Sequence, residues 1–517
     1  MSLKTLFWSI LLVMSCIWGA ATEGRAAPKQ QPKAGGTLIF GLGKGFANPQ
    51  PFIGTISTFQ FVKEAIYEPL LAEDHQGRIV PNLAEKYEVS ADGTAFTLRL
   101  RKGVKFHNGK EMKADDVVWS ANHVREPKNG AYGHSMIKDV KSVEKLDDYT
   151  VKFTLNIPSV AFLSLLSTIQ MLPVVPANSL QPGQIKLEPN TFIPGTGPFI
   201  FEQYQPGFDT TLKKFPDYWG GPAYVDKIVF RLITDTANRF NALRTGDVQM
   251  ADRISPLDVE RVKKGQVKGI KILADPLGGF KHMIFNYENP LFQKKAMRQA
   301  MSYAMDKQRL IDEVFHGAAS PAEIMMDPQG IWARAANLPR QKRDLTKAKT
   351  LLKAAGYEGQ DLVLIGHSNE ASLHEALQRM LGEAGIKVKV EILEAGVMND
   401  RVIAGKYDFY IAGGTITSDP NLTMTPEFYT NKTQKGRHGN PKVDQLFDKL
   451  GAEFDQKKRL KIFKDLATTL HDDVADVPLF YETRCRAMLE KVNDFGPAKG
   501  YHEIGSGNYF KRVWLRQ

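Results

Sequence analysis

The apolar positions in the second half of the chain predict alternating strands and helices. Short apolar runs predict strands at Asp361–Ile365, Lys387–Leu393 and Asp408–Ala412. Helices are predicted by apolar residues at helical spacing with cap and glycine signals at the ends; they cover Ala296–Phe315, Leu345–Ala355 (after Asp344 and before Gly356), Ala371–Ala384, Pro441–Phe454 and Lys457–His471. Between residues 280 and 480 the alternation is typical of an α/β layer in which helices cover a sheet.

The first half of the chain has a different pattern. Thr37–Phe40 predicts a buried first strand. Within residues 78–160, alternating strands such as Thr97–Arg101 and Thr150–Leu155 surround one helical segment at Ala114–His123. This part is therefore expected to form an α+β subdomain.

The N-terminus has the features of an export signal. Lys4 precedes an apolar core of about ten residues at Leu6–Ser15, which is the length of a signal-peptide core and too short for a bilayer span. Small residues follow it, so we expect a signal peptide over residues 1–27 and a periplasmic protein. An uncleaved anchor is the alternative. Val13–Cys16 also approximates a lipobox, which leaves a lipid-anchored form through Cys16 open.

Composition narrows the class of protein. The 517 residues allow about three or four domains, and 43% hydrophobic residues is ordinary for a globular chain. The net charge of +11 is thinly spread, and no run of five basic residues occurs, so nucleic-acid binding is not expected. Two cysteines, Cys16 and Cys485, exclude a disulfide scaffold and a cysteine-based zinc site.

Two segments approximate catalytic or nucleotide motifs. Gly41–Phe46 follows a strand, but Phe46 replaces the last glycine and Asn48-Pro49 cannot start the required helix, so a glycine-rich loop beside a ligand is the better interpretation. Gly366–Glu370 lies between a strand and a helix, as a nucleophile elbow around Ser368 would, but Glu370 occupies the position of the final glycine. The histidines show no metal-ligand spacing. We predict no catalytic residue, metal or cofactor, which favours a binding protein over an enzyme.

The segment Asn82–Lys110 resembles the signature of family 5 extracellular solute-binding proteins, the dipeptide, oligopeptide and nickel receptors of ABC importers. Further segments resemble this family in the same order along the chain; they are Tyr67–Leu71, Gly195–Phe199, Pro216–Gly221, Arg298–Asp306 and Lys347–Leu352. Within the signature, Asp92-Gly93 predicts a turn between two strands. The resemblance covers nearly the whole mature chain.

The resemblance implies an α/β, two-lobe periplasmic-binding-protein fold of type II, in the large class with an extra α+β subdomain, whose lobes close about a hinge. Lobe I would comprise residues 28–275 plus 490–517, with the extra subdomain at 78–195. Lobe II would comprise residues 276–489. The ligand would be buried in the cleft between them.

The sequence departs from the family's peptide-binding pattern in two places. Peptide receptors often carry Trp-x-x-Asp before an Asp-Pro pair, and that aspartate holds the peptide's ammonium group. Here the tryptophan is absent before Asp419-Pro420, so the amine-binding place falls on Ile416 or, with a short deletion, on Asp419. The arginine that holds a dipeptide's carboxylate is also absent from the loop His367–Glu370.

The candidate ligand contacts combine loop residues at strand ends with one aromatic residue. They are Gly45, Phe46, Asn48, Trp332, His367, Ser368, Asn369, Thr415, Thr417 and Asp419. Trp332 would pack on the ligand or, alternatively, in the core. Hydroxyl and amide groups suit a neutral or zwitterionic solute, such as a small peptide, an opine or another polar organic molecule.

The leading hypothesis is therefore a monomeric substrate-binding component of an ABC importer, whose partners are the permease subunits and their ATPase. A secreted serine hydrolase around Ser368 and a broad-specificity peptide-binding chaperone are the alternatives.

Overall fold

The computed structural model describes residues 31–45, 50–53, 59–74, 78–188, 190–414, 416–430, 438–495 and 510–516, with the backbone alone for 275–278, 369 and 395. The strands are β1 Thr37–Leu42, β2 Leu71–Glu73, β3 Ile79–Pro81, β4 Ala84–Val89, β5 Ala95–Leu100, β6 Val140–Asp147, β7 Thr150–Leu155, β8 Phe199–Tyr204, β9 Asp209–Lys214, β10 Lys227–Leu232, β11 Met250–Ala251, β12 Ile270–Phe285, β13 Ala319–Pro321, β14 Leu362–His367, β15 Val388–Leu393, β16 Phe409–Gly414, β17 Val477–Leu489, β18 Val492–Asn493 and β19 Trp514–Leu515.

The α-helices are α1 Phe59–Ile66, α2 Ala114–Arg125, α3 Ala161–Leu166, α4 Thr236–Thr245, α5 Pro256–Lys263, α6 Pro290–Gln293, α7 Lys295–Ala304, α8 Lys307–Phe315, α9 Ile331–Ala336, α10 Leu345–Ala355, α11 Ala371–Glu383, α12 Ala395–Ile403, α13 Pro420–Phe428, α14 Pro441–Ala452 and α15 Gln456–Asp473. Short 3₁₀ helices cover Pro127–Asn129, Tyr132–Ser135 and Ser368–Glu370.

One large mixed sheet runs through the protein in the order β15-β14-β16-β12-β17-β11-β1-β10-β9-β8, and β13 also pairs with β17. Its centre is the antiparallel pair of β12 and β17, which stays in contact from Ile270 opposite Leu489 to Met283 opposite Val477. The register shifts between Asp275 and Gly279 and again between Lys281 and His282. A separate antiparallel sheet, β4-β5-β7-β6, with α2 packed against β6 and β7, forms the α+β subdomain predicted from the alternating pattern.

The hydrophobic core is divided along this sheet. On one side, which we call the β1 side, the core clusters use residues from 38–270 and from 485–513. On the other side, the β14 side, they use residues from 280–481. The chain therefore builds two cores that share the strands β12 and β17. The lobe boundaries at residues 275 and 490 stay a prediction.

Most local signals of the second half correspond to the observed elements. Asp344 caps α10 by accepting a hydrogen bond from the Lys347 backbone N–H at 2.9 Å, and Gly356 ends it in the left-handed conformation. The single helix predicted over Ala296–Phe315 is instead two helices, α7 and α8. The chain becomes extended at Met305 and Asp306, and the Asp306 side chain caps α8. Apolar residues keep a helical spacing on both sides of this break, so the spacing alone did not predict that a second helix begins there.

The Asp92-Gly93 turn brings the two sides of the molecule into contact. It joins β4 to β5, and Gly93 adopts a φ of 70°. A Cβ at Gly93 would lie 2.4 Å from the ring of Phe454, which belongs to the β14 side and packs near Phe96 with ring centroids 6.4 Å apart. The backbone N–H of Val160 also donates to the carbonyl of Gly451 across the same boundary at 2.9 Å.

Replacing Gly93 with Ala should destabilise the protein for two reasons, left-handed backbone strain and the clash with Phe454. Gly103→Ala is the matched control, because Gly103 has a φ of 75° and open space around its Cβ position. We expect the control to cost about 1 kcal/mol of unfolding free energy and Gly93→Ala a further 1 kcal/mol or more. Urea denaturation measures both. In a Phe454→Ala background the extra cost of Gly93→Ala should shrink, leaving the tight 3.3 Å approach to the Cβ of Pro158; an unchanged difference would contradict the contact with Phe454.

Candidate functional site

Two loops follow neighbouring strands at one edge of the large sheet. β14 and β16 are parallel, with Leu364 opposite Phe409, so their carboxyl ends lie at the same edge. The 3₁₀ turn Ser368–Glu370 continues β14 directly, and residues 416–419 follow β16. The topology thus brings together two groups of residues that are about fifty positions apart in the sequence.

A charged cluster at this edge was not found by sequence reasoning. Lys281 on β12 lies opposite Gly413 on β16, and its ammonium group forms an ion pair with Glu370. Glu482 on β17 lies 3.9 Å from the Lys281 Nζ atom. The Lys281 side chain is 14% exposed, against 26% for Glu370 and 35% for Glu482. One ammonium group therefore lies between two carboxylates, all of them reachable from solvent.

Two glycines make room for this cluster, since a Cβ at Gly279 would lie 2.7 Å from a carboxylate oxygen of Glu482 and Gly413 lies against Lys281. A Cβ at Gly413 would lie 2.9 Å from the Lys281 Nζ atom, so the absence of a side chain at residue 413 makes room for the lysine. Lys281 itself lies in a run of sequence with no motif, and its partners are 89 and 201 residues away. The cluster depends on strand pairing, which a single sequence does not reveal.

Asp419 is buried and already has partners within its own side of the protein. One carboxylate oxygen accepts a hydrogen bond from the backbone N–H of Asn421 at 2.9 Å and so caps α13. The other accepts from the Arg459 guanidinium at 2.8 Å, and both side chains are about 5% exposed. The charge of Asp419 is therefore balanced without a ligand.

Trp332 completes this buried network. Its indole N–H donates to the Ser418 carbonyl at 2.7 Å, and its ring packs edge-on against Phe463 at 5.2 Å. The Arg459 guanidinium lies over the same ring, 4.9 Å from the ring centre. Trp332 is 6% exposed. In this structure it packs in the core of the β14 side, and its contact with a ligand stays a prediction.

The other predicted contacts differ in exposure. His367 is half-buried at the end of β14, and Ser368 is exposed. The Thr417 hydroxyl donates to the Asp419 carbonyl at 2.9 Å and is shared with Thr423. Gly45 follows β1 on the β1 side, where a Cβ would lie 3.1 Å from Leu232. Phe46, Asn48 and Thr415 lie outside the described residues, as does the side chain of Asn369.

Glu73 faces the 416–419 loop from the β1 side. It is buried at the end of β2, and burial raises the pKa of its carboxyl group to about 7. Hydroxyl groups of Ser418, Ser164 and Ser167 offset part of this rise in pKa, and the neighbouring charge of Asp419 adds to it. A carboxyl group that keeps its proton near neutral pH thus lies where the two sides meet.

Comparison with known proteins identifies the family. Residues 78–436 match the model of the bacterial extracellular solute-binding proteins, family 5 Middle. Di/tripeptide-binding protein 1 of Pseudomonas aeruginosa strain UCBPP-PA14 is 30% identical over 498 residues, which cover 89% of this chain and 91% of the relative. The chain belongs to family 5 of the extracellular solute-binding proteins. It is the substrate-binding component of an ABC import system, and nothing in the comparisons supports a serine hydrolase around Ser368.

Solved structures show the same fold for this solute-binding protein. The periplasmic binding protein AgaA of A. tumefaciens R10, in complex with agropinic acid, superposes with a TM-score of 0.77, is 28% identical, and covers 93% of this chain and 99% of its own. The ABC transporter-associated protein DppA of Helicobacter pylori, in complex with the peptide STSA, has a TM-score of 0.77 and 26% identity, and covers 94% of this chain and 99% of its own. The fold is therefore the two-lobe, type II periplasmic-binding-protein fold.

The family is extracellular by description. Over the described ranges of this solute-binding protein, we found no helix with both the length and the apolar character needed to cross a bilayer.

Replacing Glu73 with Gln should change how stability depends on pH. The folded protein keeps the Glu73 proton up to about pH 7, whereas the unfolded chain releases it near 4.5. The wild-type free energy of unfolding therefore loses up to roughly 3 kcal/mol from this group as the pH rises through that window. Glu73→Gln should remove this loss. The unfolding free energy of the variant should therefore increase relative to that of the wild type between pH 4.5 and 7. Chemical denaturation at several pH values tests this, with the exposed Glu88→Gln as control; parallel profiles would be the contrary result.

Replacing Arg459 with Met should leave the buried Asp419 carboxylate without a cation. Removing one partner of a buried ion pair typically costs about 3–5 kcal/mol, so a large fall in the unfolding free energy is expected. Lys457→Met, on an exposed position of the same helix, is the control. Similar stability of both variants in urea would show that Asp419 does not depend on Arg459.

Proposed function

We propose that this solute-binding protein captures a small zwitterionic solute, a short peptide or a chemically related opine, in the cleft between its lobes. The observation that carries this proposal is the cluster of Lys281, Glu370 and Glu482. It lies at the sheet edge where β14 and β16 end, and two of its residues belong to the central strands β12 and β17. A single ammonium group with two carboxylates is complementary to a ligand that carries both charges.

The positions of these charges indicate which protein groups would bind each charged end of the ligand. A ligand carboxylate would bind the Lys281 ammonium group and compete with Glu370 for it. A ligand ammonium group would bind Glu482 and the released Glu370. Asp419 is already paired with Arg459 at 2.8 Å, which supports an ammonium site other than the one used by peptide receptors with the Trp-x-x-Asp pattern. His367 and Ser368 would add polar contacts from the end of β14.

The relatives support both ligand classes. The similar Pseudomonas protein is named for di- and tripeptides, and the Helicobacter structure contains a peptide. AgaA, of nearly equal similarity, contains agropinic acid. The absence of an arginine in the His367–Glu370 loop favours a ligand whose carboxylate is bound by Lys281 instead. Broad-specificity peptide chaperoning would be the outcome if many peptides bound weakly and none tightly.

The proposal includes no catalytic step. Ser368 is exposed, and Glu370 stands where a nucleophile elbow needs its final glycine. We further propose export by the signal peptide of residues 1–27, lobes at residues 28–275 with 490–517 and at 276–489, and delivery of the solute to permease subunits driven by their ATPase.

Native mass spectrometry of the purified mature protein, followed by release of any bound molecule, should identify the ligand class. If the purified protein contains no bound molecule, a melting-temperature screen with di- and tripeptides, opines and sugars is used instead of mass spectrometry. A ligand at about 100 times its dissociation constant should stabilise the protein by roughly 2.7 kcal/mol. A library in which no zwitterionic solute raises the melting temperature would contradict the proposal.

Lys281→Met should weaken binding of the identified ligand by about tenfold or more, because a hydrogen bond to a charged group is worth about 1.5–3 kcal/mol. Glu482→Gln, which leaves the Lys281–Glu370 pair intact, should weaken ligands with a free ammonium group and spare their N-acetyl forms. Lys353→Met, an exposed lysine on α10, is the control. Calorimetric titration gives the affinities, and equal affinities for Lys281→Met and the control would exclude Lys281 from the site.

Ser368→Ala separates the binding function from hydrolysis. As a ligand contact, Ser368 contributes one neutral hydrogen bond, so the substitution should change the affinity by about 1 kcal/mol. Neither the wild type nor the variant should hydrolyse di- or tripeptides. Turnover by the wild type that disappears in Ser368→Ala would restore the hydrolase hypothesis.

A further inference from the structure

A cavity lies wholly within the β14 side. Its volume is about 330 Å³, within the range of small-molecule sites. Its walls come from α7, α8, α13 and α15, from the segment after β13 and from the residues that lead into β17. Of the predicted cleft residues, those that the structure describes do not line it.

A buried charge network forms one wall of this cavity. The Lys307 ammonium group donates to the Ala322 carbonyl at 2.6 Å and to Glu323 at 2.9 Å, and its side chain is 6% exposed. Asp476 accepts a hydrogen bond from His282 at 2.7 Å and is 10% exposed. Burial lowers the pKa of Lys307, and both carboxylates act against this shift.

Each carboxylate of this network has one oxygen atom that is available to accept a hydrogen bond. Within the described ranges, Glu323 Oε1 and Asp476 Oδ1 accept no hydrogen bond, although both residues line the cavity. The other charged groups of the walls are Lys295, Asp472 and His471. Asp472 and Lys295 are largely exposed, which leaves the carboxylates of Glu323 and Asp476 facing the one ammonium group of Lys307 in the buried part of the described wall. The cavity therefore has an excess of negative charge and of hydrogen-bond acceptors.

Another part of the cavity lining is apolar. Met424 and Phe428 on α13 and Leu470 on α15 are each less than 5% exposed overall and line the same space. An occupant would thus meet both hydrogen-bond acceptors and hydrocarbon in the cavity lining. Water satisfies only the polar wall, whereas an amphipathic molecule satisfies both.

We propose that this cavity is a second binding site, for a small organic cation in which a primary ammonium group is attached to an apolar body. The ammonium group binds Asp476 and Glu323, and the apolar body packs against Met424, Phe428 and Leu470. This site is independent of the cleft and would remain if the proposed cleft ligand were wrong.

The test uses 2-(4-bromophenyl)ethylamine as the probe and 2-(4-bromophenyl)ethanol as its uncharged counterpart, with the full mature chain. We expect saturable calorimetric binding of the amine at least tenfold tighter than that of the alcohol. Asp476→Asn and Glu323→Gln should each weaken the amine at least tenfold and leave the alcohol unchanged. Glu375→Gln, an exposed carboxylate on α11, should change neither.

A crystal soaked with the amine tests the location without any substitution. An anomalous bromine peak between Met424 and Leu470 supports the proposal. A bromine peak only in the interlobe cleft, equal affinities for amine and alcohol, or no saturable binding would each overturn it.

Discussion

The antiparallel pairing of β12 with β17 is the constraint on which the rest of the structure depends. The two strands have 16 and 13 residues, and they join the cores of the β1 side and the β14 side into one sheet. A change in the relative position of the two sides must therefore bend or shift these two strands. The register shifts near Asp275 and Lys281 show where the pair is irregular, and irregular strands bend more easily than a regular ladder. The same strands carry Lys281 and Glu482, so the candidate ligand charges lie next to the connection between the lobes.

Buried charges decide which side chains remain available to a ligand. Asp419 has the expected place in the sequence for a ligand contact, but Arg459 and the start of α13 already use both of its oxygens. An isolated buried carboxylate is costly, so a receptor that lacks a cationic ligand group at this place needs an internal cation. Lys281 is different, because its partners are partly exposed, and we propose that ligand groups replace them. The distinction between a structural and a functional carboxylate is thus one of solvation and pairing.

Local signals predicted much of the fold because they act over a few residues. Asp344 and Gly356 bound α10 through backbone capping, and the alternating pattern of Thr150–Leu155 matches β7 residue by residue. The break between α7 and α8 was missed because apolar spacing continues across it, although Asp306 is a cap residue. The ordered family segments predicted the two-lobe fold, since they span elements of both cores.

The sequence by itself determined the family, the α/β class and the loop positions at the strand ends, because these follow from local patterns and ordered segments. Only the tertiary structure decided the charges at the site. Lys281, Glu370 and Glu482 come from three distant segments, and only the pairing of β12 with β16 and β17, and of β16 with β14, brings them together. The same holds for the partner of Asp419, which lies 40 residues away on α15. Ion pairs form wherever the folded backbone places opposite charges within a few ångströms, and no local rule of sequence states that distance.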